Sequence, residues 1–288
     1  MATFFPEGGW ADLSARAKFR LAGSDRQRFV QGQISNDIRL AREDATLFAC
    51  VMTVKGKMCA DIFIRAEPDA YVIDAEPELR ESLADRLDRY IIADDVTLDD
   101  ITEANALLHV IGPRAIGPLP ANLASHVRVA RSARYGREGL DLFAAAPLAG
   151  PLRAWLGEGE LSAAEIELLR ISGGSPRWGQ DLAEDTIPVE AGLEERAISY
   201  TKGCYIGQEV ISRIKSVGRV NHHLRRLRAA FPLHAGQTLR SDEKPAGEIT
   251  SAVPVPNSAD WLALGYLRTG FEQAGRRLTS DAGEVEVW

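Results

Sequence analysis

The residues best suited to chemistry lie in one segment, Tyr200-Thr201-Lys202-Gly203-Cys204-Tyr205-Ile206-Gly207-Gln208-Glu209-Val210-Ile211-Ser212-Arg213. Glycines bracket Cys204, Lys202 lies close before it, and the stretch from Gln208 reads as the first turns of a helix. A thiol ahead of a helix N-terminus and near an ammonium sits in the electropositive setting that favours a thiolate, and hence a nucleophile, a metal ligand or a reactive group. The plainer alternative is a small apolar residue packed beside an aromatic. Cys50 and Cys59 lie in apolar runs and read as packing. Three cysteines with no C-x-x-C spacing imply neither a disulfide framework nor a zinc ribbon.

Cys204 also stands where the charge of the chain changes sign. Across 288 residues, 34 Lys and Arg face 41 Asp and Glu, a net charge of −7. Asp181 to Glu195 holds six carboxylates and no base, whereas Lys202 to Arg228 holds seven bases and one acid, Glu209. A basic island in an acidic protein suits a small anion held by charge and hydrogen bonds. A nucleic-acid backbone recruits a broader basic field, so no direct nucleic-acid partner is expected at a pI near 5.4. Phosphate-loop, H-E-x-x-H, G-x-S-x-G and G-x-G-x-x-G patterns are missing, which removes the familiar nucleotide enzymes and hydrolases. The adjacent His222 and His223 would point to opposite faces of a strand, so they propose no metal site. The longest uncharged apolar run, Leu47 to Val54, is far short of the roughly 20 residues of a membrane helix. Met1 to Leu13 carry no basic, apolar leader. The chain therefore reads as cytoplasmic, with no membrane partner.

Such residues need elements to hold them. Ala17 to Leu21 alternates as a strand, and Ser24-Asp25-Arg26-Gln27 has a capping-box pattern that should start a helix through Gln31. Leu47 to Val54 and Met58 to Arg65 flank Lys55-Gly56-Lys57 as a hairpin, and Tyr71 to Ala75 is a further strand. Pro77 should open a helix with an inner stripe of Leu79, Leu83, Leu87, Tyr90 and Ile91, before strands at Val96 to Ile101 and Ala106 to Ile111. Together these predict an α+β unit over about 46–112. Ser162-Ala163-Ala164-Glu165 is a second capping box, stopped by Gly173-Gly174. Beyond about residue 219, short apolar stretches between Gly, Pro, Asn and Asp predict a small all-β module.

Four stretches, taken together, resemble the folate-binding family that includes the aminomethyltransferase of the glycine cleavage system. Within it they are most similar to the YgfZ-type branch linked to iron-sulfur cluster assembly and repair. Phe29-Val30-Gln31-Gly32-Gln33-Ile34-Ser35-Asn36-Asp37 resembles F-L-Q-G-Q-x-[ST]-N-D. Asp185-Thr186-Ile187-Pro188-Val189-Glu190-Ala191-Gly192-Leu193 is similar to T-x-P-x-E-A-G-L. Lys202-Gly203-Cys204-Tyr205-Ile206-Gly207-Gln208-Glu209 resembles the branch signature K-G-C-[YF]-x-G-Q-E at every place. Arg213 to Leu227, with Arg219 and Leu224, resembles the passage into a C-terminal barrel. The agreement in order spans about residues 10 to 230.

The resemblance implies an α+β cloverleaf of subdomains around a central hole for tetrahydrofolate, plus a small C-terminal β-barrel. Residues 1–218 would be the folate-binding region, with 46–112 inserted in it, and 219–288 the barrel. It implies an accessory protein rather than an enzyme, working with iron-sulfur assembly or client proteins and indirectly supporting enzymes that modify tRNA. Cys204 becomes the reactive thiol or a cluster contact, with no resident metal. Lys202, Gly203, Tyr205, Gly207, Gln208, Glu209, Glu190, Gln33, Asn36 and Arg213 become the residues placed at folate. A flat pteridine wants aromatic walls, for which Tyr205, Tyr135 and Trp178 are available, and an edge to hydrogen-bond, for which Glu190, Gln33 and Asn36 serve. Its anionic tail wants bases such as Lys202, Arg213 or Lys215.

The chain departs from the transferase in three places, one of them Cys204, where the transferase normally has another residue. Where the transferase has paired acids before an apolar strand, Met58-Cys59-Ala60-Asp61-Ile62-Phe63-Ile64 keeps only Asp61. Gly136-Arg137-Glu138-Gly139-Leu140-Asp141 resembles G-E-D-G-x-E with Arg137 in place of the first acid. One carboxylate can take a proton, but the pair that divides acid and base roles is missing. A folate-dependent aminomethyltransferase or one-carbon transferase using Asp61 is the alternative, and an interaction module whose basic stretch binds a partner is the third.

Overall fold

The computed structural model describes residues 8–112 and 117–288; residues 1–7 of the stretch read for a leader lie outside them. β1 (Gly9–Asp12) and β2 (Ala17–Ala22) lead into α1 (Arg26–Gln33), the hairpin β3 (Leu47–Met52) and β4 (Met58–Ala66), then β5 (Ala70–Ala75), α2 (Arg80–Asp88), β6 (Thr97–Asp100) and β7 (Asn105–Ile111). Next come α3 (Ala121–Ala124), β8 (Arg128–Ser132), β9 (Gly139–Ala145), α4 (Ala149–Leu156), α5 (Ala163–Ser172), α6 (Glu194–Ala197) and α7 (Gln208–Val217). The remainder is β10 (His222–Ala229), β11 (Thr238–Ser241), β12 (Lys244–Pro254), β13 (Trp261–Arg268), β14 (Arg277–Ser280) and β15 (Gly283–Val287).

The strands make a five-stranded sheet in the order β3-β4-β5-β2-β6, a four-stranded sheet β1-β7-β9-β8, and a closed barrel β10-β13-β12-β11-β14-β15. The α+β unit expected over 46–112 is corrected by this pairing. β2 lies inside the five-stranded sheet between β5 and β6, and β7 leaves it to pair with β1 and β9. Local patterns locate strands; they do not say which distant strand fills the next place in a ladder. The capping box expected at Ser24 is also corrected: Asp25 is the N-cap without a side-chain bond, and Ser24 Oγ donates to Asp95 instead. The box at Ser162 forms in full. Pro77 opens a single 3-10 turn before α2, whose stripe buries Leu79, Leu83 and Leu87. Tyr90 and Ile91 lie past the helix end.

β4 explains how a carboxylate comes to lie inside the molecule. Ala60, Ile62 and Ile64 pack into the core that α1 and α2 cover with Phe29, Val30, Leu83 and Leu87. Successive side chains alternate, so Asp61, Phe63 and Arg65 face the other way. The same alternation puts Val72 and Asp74 of β5 on that second face, with Asp74 opposite Phe63 in the ladder. The four-stranded sheet covers this face, where Val72 meets Leu107 and Phe143. A layer between two sheets thus mixes apolar and ionic groups. The acidic loop pins the barrel to it: buried Asp181 accepts hydrogen bonds from Arg170 (2.6 Å) and Ser251 (2.8 Å), linking α5 to β12.

Candidate functional site

The ionic layer is built on Arg134, in the turn between β8 and β9. Its guanidinium grips Asp74 with two bonds of 3.0 and 2.7 Å and Asp141 at 2.8 Å. Arg16 donates from Nε to Asp74 (2.5 Å) and from Nη1 to Glu76. His109 Nδ1 lies 2.7 Å from Asp141, its ladder partner. Burial would raise the Asp141 carboxyl, but Arg134 and His109 outweigh it and hold it well below the usual carboxylate range. Burial keeps His109 below its ordinary value despite that carboxylate.

Beside this layer is a cavity of about 330 Å³, within the size range of small-molecule sites. Phe48 and Phe63 form one wall, their ring centroids 4.7 Å apart, with Arg134 4.1 Å over Phe63 and Arg196 5.3 Å over Phe48. Tyr135 forms another and is held at φ +53, a region that non-glycine residues seldom occupy. Its turn is wedged on the end of α5, where a Cβ on Gly136 would lie 2.5 Å from the Gly173 carbonyl. Strain kept at a cavity wall marks a position the fold over-determines.

Two lining residues each carry a polar atom with no hydrogen-bond partner among the described residues. Asp61 is 6% exposed and its Oδ1 accepts no hydrogen bond; Arg16 is equally buried and its Nη2 donates none. Burial pushes the Asp61 carboxyl up to about 6, against the pull of Arg16. Orphaned buried polar atoms cost on the order of 1–3 kcal/mol each, so a pair in the walls of one cavity marks it as a place where a polar ligand edge would be stabilised. An acceptor and a donor between aromatic faces fit the edge of a flat heterocycle carrying both N–H and C=O groups. Arg196 supplies a cation whose guanidinium donates to the Ala133 carbonyl (3.0 Å) and meets no carboxylate among the described residues.

The Cys204 turn lies elsewhere. Cys204 is exposed, three residues ahead of Gly207, the N-cap of α7. Lys202 is not among the residues lining the cavity: its Nζ donates to the carbonyls of Gln31 (2.6 Å), Ile34 (2.6 Å) and Asn36 (2.9 Å). It is a strut between the C-terminal end of α1 and the turn. Burial pulls its pKa down to about 8, which leaves it charged at neutral pH. Lys202→Met should orphan all three carbonyls and cost roughly 2–4 kcal/mol in urea unfolding, whether or not any ligand is present.

Gly207 has φ +89, and a Cβ there would lie 2.7 Å from the Thr53 carbonyl in the β3–β4 turn. Gly207→Ala should therefore lose about 2–3 kcal/mol and lower the melting temperature. Gly203 has open space around it and borders a shallow cleft with Arg28 and Arg39. Backbone bonds close the turn, from Ile206 N–H to Gly32 and from Gln208 N–H to Tyr205, rather than the side chains of Gln208 and Glu209. Tyr205 is buried, its hydroxyl without a partner and pushed up to about 12 by burial and Cys50.

The remaining sequence-expected ligand groups are also used within the fold or lie outside the cavity. Gln33 accepts from Arg86 (2.9 Å), and Asn36 donates to Phe48 and Arg196 carbonyls. Glu190 accepts from the N–H of Asn221 (3.0 Å) and His222 at the barrel entry. Lys215 pairs with Glu194 (2.6 Å), Arg213 is exposed on α7, and Trp178 belongs to the core under α1 and α2. Of the sequence-derived residues, Asp61 and Tyr135 line the cavity. Arg16, Arg134, Arg196, Phe48 and Phe63 were not anticipated. The strand alternation around Asp61 marks Phe63 as its companion; the arginines leave no such local signal. Among the described residues no three His, Cys, Asp or Glu side chains gather as a metal set, and no helix is long and apolar enough to cross a membrane.

Residues 6–132 match the family described as the GCVT N-terminal domain. The chain is 30% identical over 217 residues to the tRNA-modifying protein YgfZ of Escherichia fergusonii, covering 69% of this chain and 65% of the relative. It is 24% identical to an aminomethyltransferase of a Nostoc species, over 97% of this chain and 80% of the relative. Among solved structures, the glycine cleavage system aminomethyltransferase T from Bartonella henselae superposes with a TM-score of 0.86 at 18% identity, over 99% of this chain and 86% of that one.

Proposed function

From a chain that carries a GCVT-family domain on an aminomethyltransferase-like fold, we propose a folate-binding accessory protein for iron-sulfur cluster assembly or repair, which indirectly supports iron-sulfur enzymes including those that modify tRNA. The observation that carries this reading is the separation of its two features. A half-open cavity with an unpartnered donor and acceptor in its walls lies beside the layer between the sheets, while the thiol of Cys204 stands exposed on a turn outside it. In a transferase the reactive groups would converge on one ligand; here they do not.

In this reading Asp61 Oδ1 and Arg16 Nη2 hold the edge of the pteridine, Phe48, Phe63 and Tyr135 cover its faces, and Arg196 neutralises the anionic end. Tetrahydrofolate would bring one-carbon chemistry when bound. The protein's own part is to hold the ligand against its aromatic wall and to present one buried carboxyl whose pKa lies at about 6. Cys204 serves iron-sulfur assembly or client proteins from the surface, and the tRNA modification in the name of the relative from Escherichia fergusonii is read as reached through such clients. The test is complementation: in cells lacking the native protein, Cys204→Ala should fail to restore iron-sulfur enzyme activities that the wild type restores. Full restoration by the variant would remove the thiol from the account.

The second reading, a folate-dependent aminomethyl or one-carbon transferase, is favoured by a carboxyl poised at about 6 in the cavity, suited to proton transfer near neutral pH. Folate-dependent turnover of a methylamine donor that collapses in Asp61→Asn would support it. No turnover with any such donor would set it aside.

A further inference from the structure

α7 carries its apolar residues at Val210, Ile211, Ile214 and Val217, the spacing of a single helical stripe. Only the first part of that stripe is covered. Ile211 is fully buried and Val210 meets Gly56 of the β3–β4 turn, where a Cβ on the glycine would lie 2.8 Å from the valine. Beyond it the helix runs out past the turn, Ile214 is half-buried, and Val217 is 63% exposed. Val54, at the tip of the neighbouring turn, is 72% exposed. Lys55 and Lys57 share the turn with Val54, Arg213 lies on α7 and Arg219 just past it, all exposed and none ion-paired among the described residues. The acid of the same helix, Glu209, is exposed in its first turn, next to Val210, and Lys215 is turned away onto Glu194 and Tyr200.

We propose that this surface, formed by the β3–β4 turn and the second half of α7, docks an acidic amphipathic segment of a partner protein. The segment's apolar side covers Val54, Ile214 and Val217, and its carboxylates meet the four unpaired cations. Charge complementarity chooses this occupant over the others. A second copy of the chain offers Glu184, Asp185 and Glu195 exposed in its densest acidic stretch, but that stretch is loop and a four-residue helix rather than an amphipathic segment. A nucleic acid would want aromatic side chains for stacking, and the exposed centre is aliphatic. Exposed Cys204 lies three residues ahead of the N-cap of α7, at the end of the helix away from Val217. The inference holds whichever ligand fills the cavity.

The test uses the full chain and a synthetic amphipathic helical peptide with leucines on one face and glutamates on the other, read by fluorescence anisotropy. A scrambled peptide of the same composition and poly-L-glutamate serve as comparisons. Two surface double variants, Lys55→Glu with Lys57→Glu and Val54→Ser with Val217→Ser, should each weaken binding about tenfold or more, and the scrambled peptide should bind as weakly as the variants. The proposal is overturned by absence of saturable binding, by equal affinity for polyglutamate or the scrambled peptide, or by variants that bind like wild type. Tighter binding to anionic vesicles, or a concentration-dependent dimer that Val217→Ser dissolves, would overturn it in favour of a lipid surface or a second copy.

Discussion

Replacing Arg134 by methionine is expected to cost roughly 3–5 kcal/mol of folding free energy, read as a shift in the urea midpoint at neutral pH. The reason is the company it leaves. Asp74 and Asp141 are 7% and 3% exposed, and both receive paired hydrogen bonds from the one guanidinium. Without it, Asp141 keeps only His109, and Asp74 keeps only Arg16. Methionine restores volume but leaves buried charge uncompensated, which is the expensive way to break an ion pair. The loss should shrink at low pH, because protonating the two carboxylates removes the uncompensated charge. The same substitution should lower ligand affinity, since Arg134 packs over Phe63 at the cavity wall and shares Asp74 with Arg16.

Asp61→Asn should act in opposite directions on stability and on binding. Burial raises the Asp61 carboxyl from 3.8 to about 6, so between those values the folded chain binds more protons than the unfolded one. Wild-type stability then falls as pH rises through that window and levels off above it. Asparagine has no proton to lose, so the variant should lack this slope. At pH 7 it should be more stable than wild type by on the order of 2 kcal/mol, measured by denaturant unfolding of the ligand-free protein. Its affinity for tetrahydrofolate should nonetheless drop at least about tenfold, because a charge-assisted acceptor has been lost. A substitution that stabilises the fold while weakening the ligand identifies a residue kept for function.

Much of the fold could be read along the chain, and the site could not. The Ser162 box, the hairpin at Lys55-Gly56-Lys57 and the helix from Gln208 are local events, decided by residues a few places apart. The cavity is assembled from β4, the β1–β2 connection, the turn before β9 and α6, which only the long-range strand pairing brings together. Lys202 shows the opposite failure. Its position beside Cys204 suggested a ligand cation, whereas three backbone carbonyls of the α1 segment already accept its protons. Charge is visible in a sequence, but its partners are not. Glu190 misled for the same reason: the most conspicuous acid of its loop turned out to hold backbone amides at the barrel entry.

The central claim is that the cavity with Asp61 and Arg16, and not the Cys204 turn, receives the folate. Anaerobic calorimetric titration of tetrahydrofolate from pH 5 to pH 8 into wild type, Asp61→Asn and Arg213→Ala tests it most directly. Since an N–H donor prefers the ionised carboxylate, wild-type affinity should rise as pH increases through about 6 and then level off, with proton release on binding below that point. Asp61→Asn should bind weakly with no such step, and Arg213→Ala should match wild type. Binding that ignores Asp61→Asn and is lost in Arg213→Ala would contradict the account and return the ligand to the basic turn.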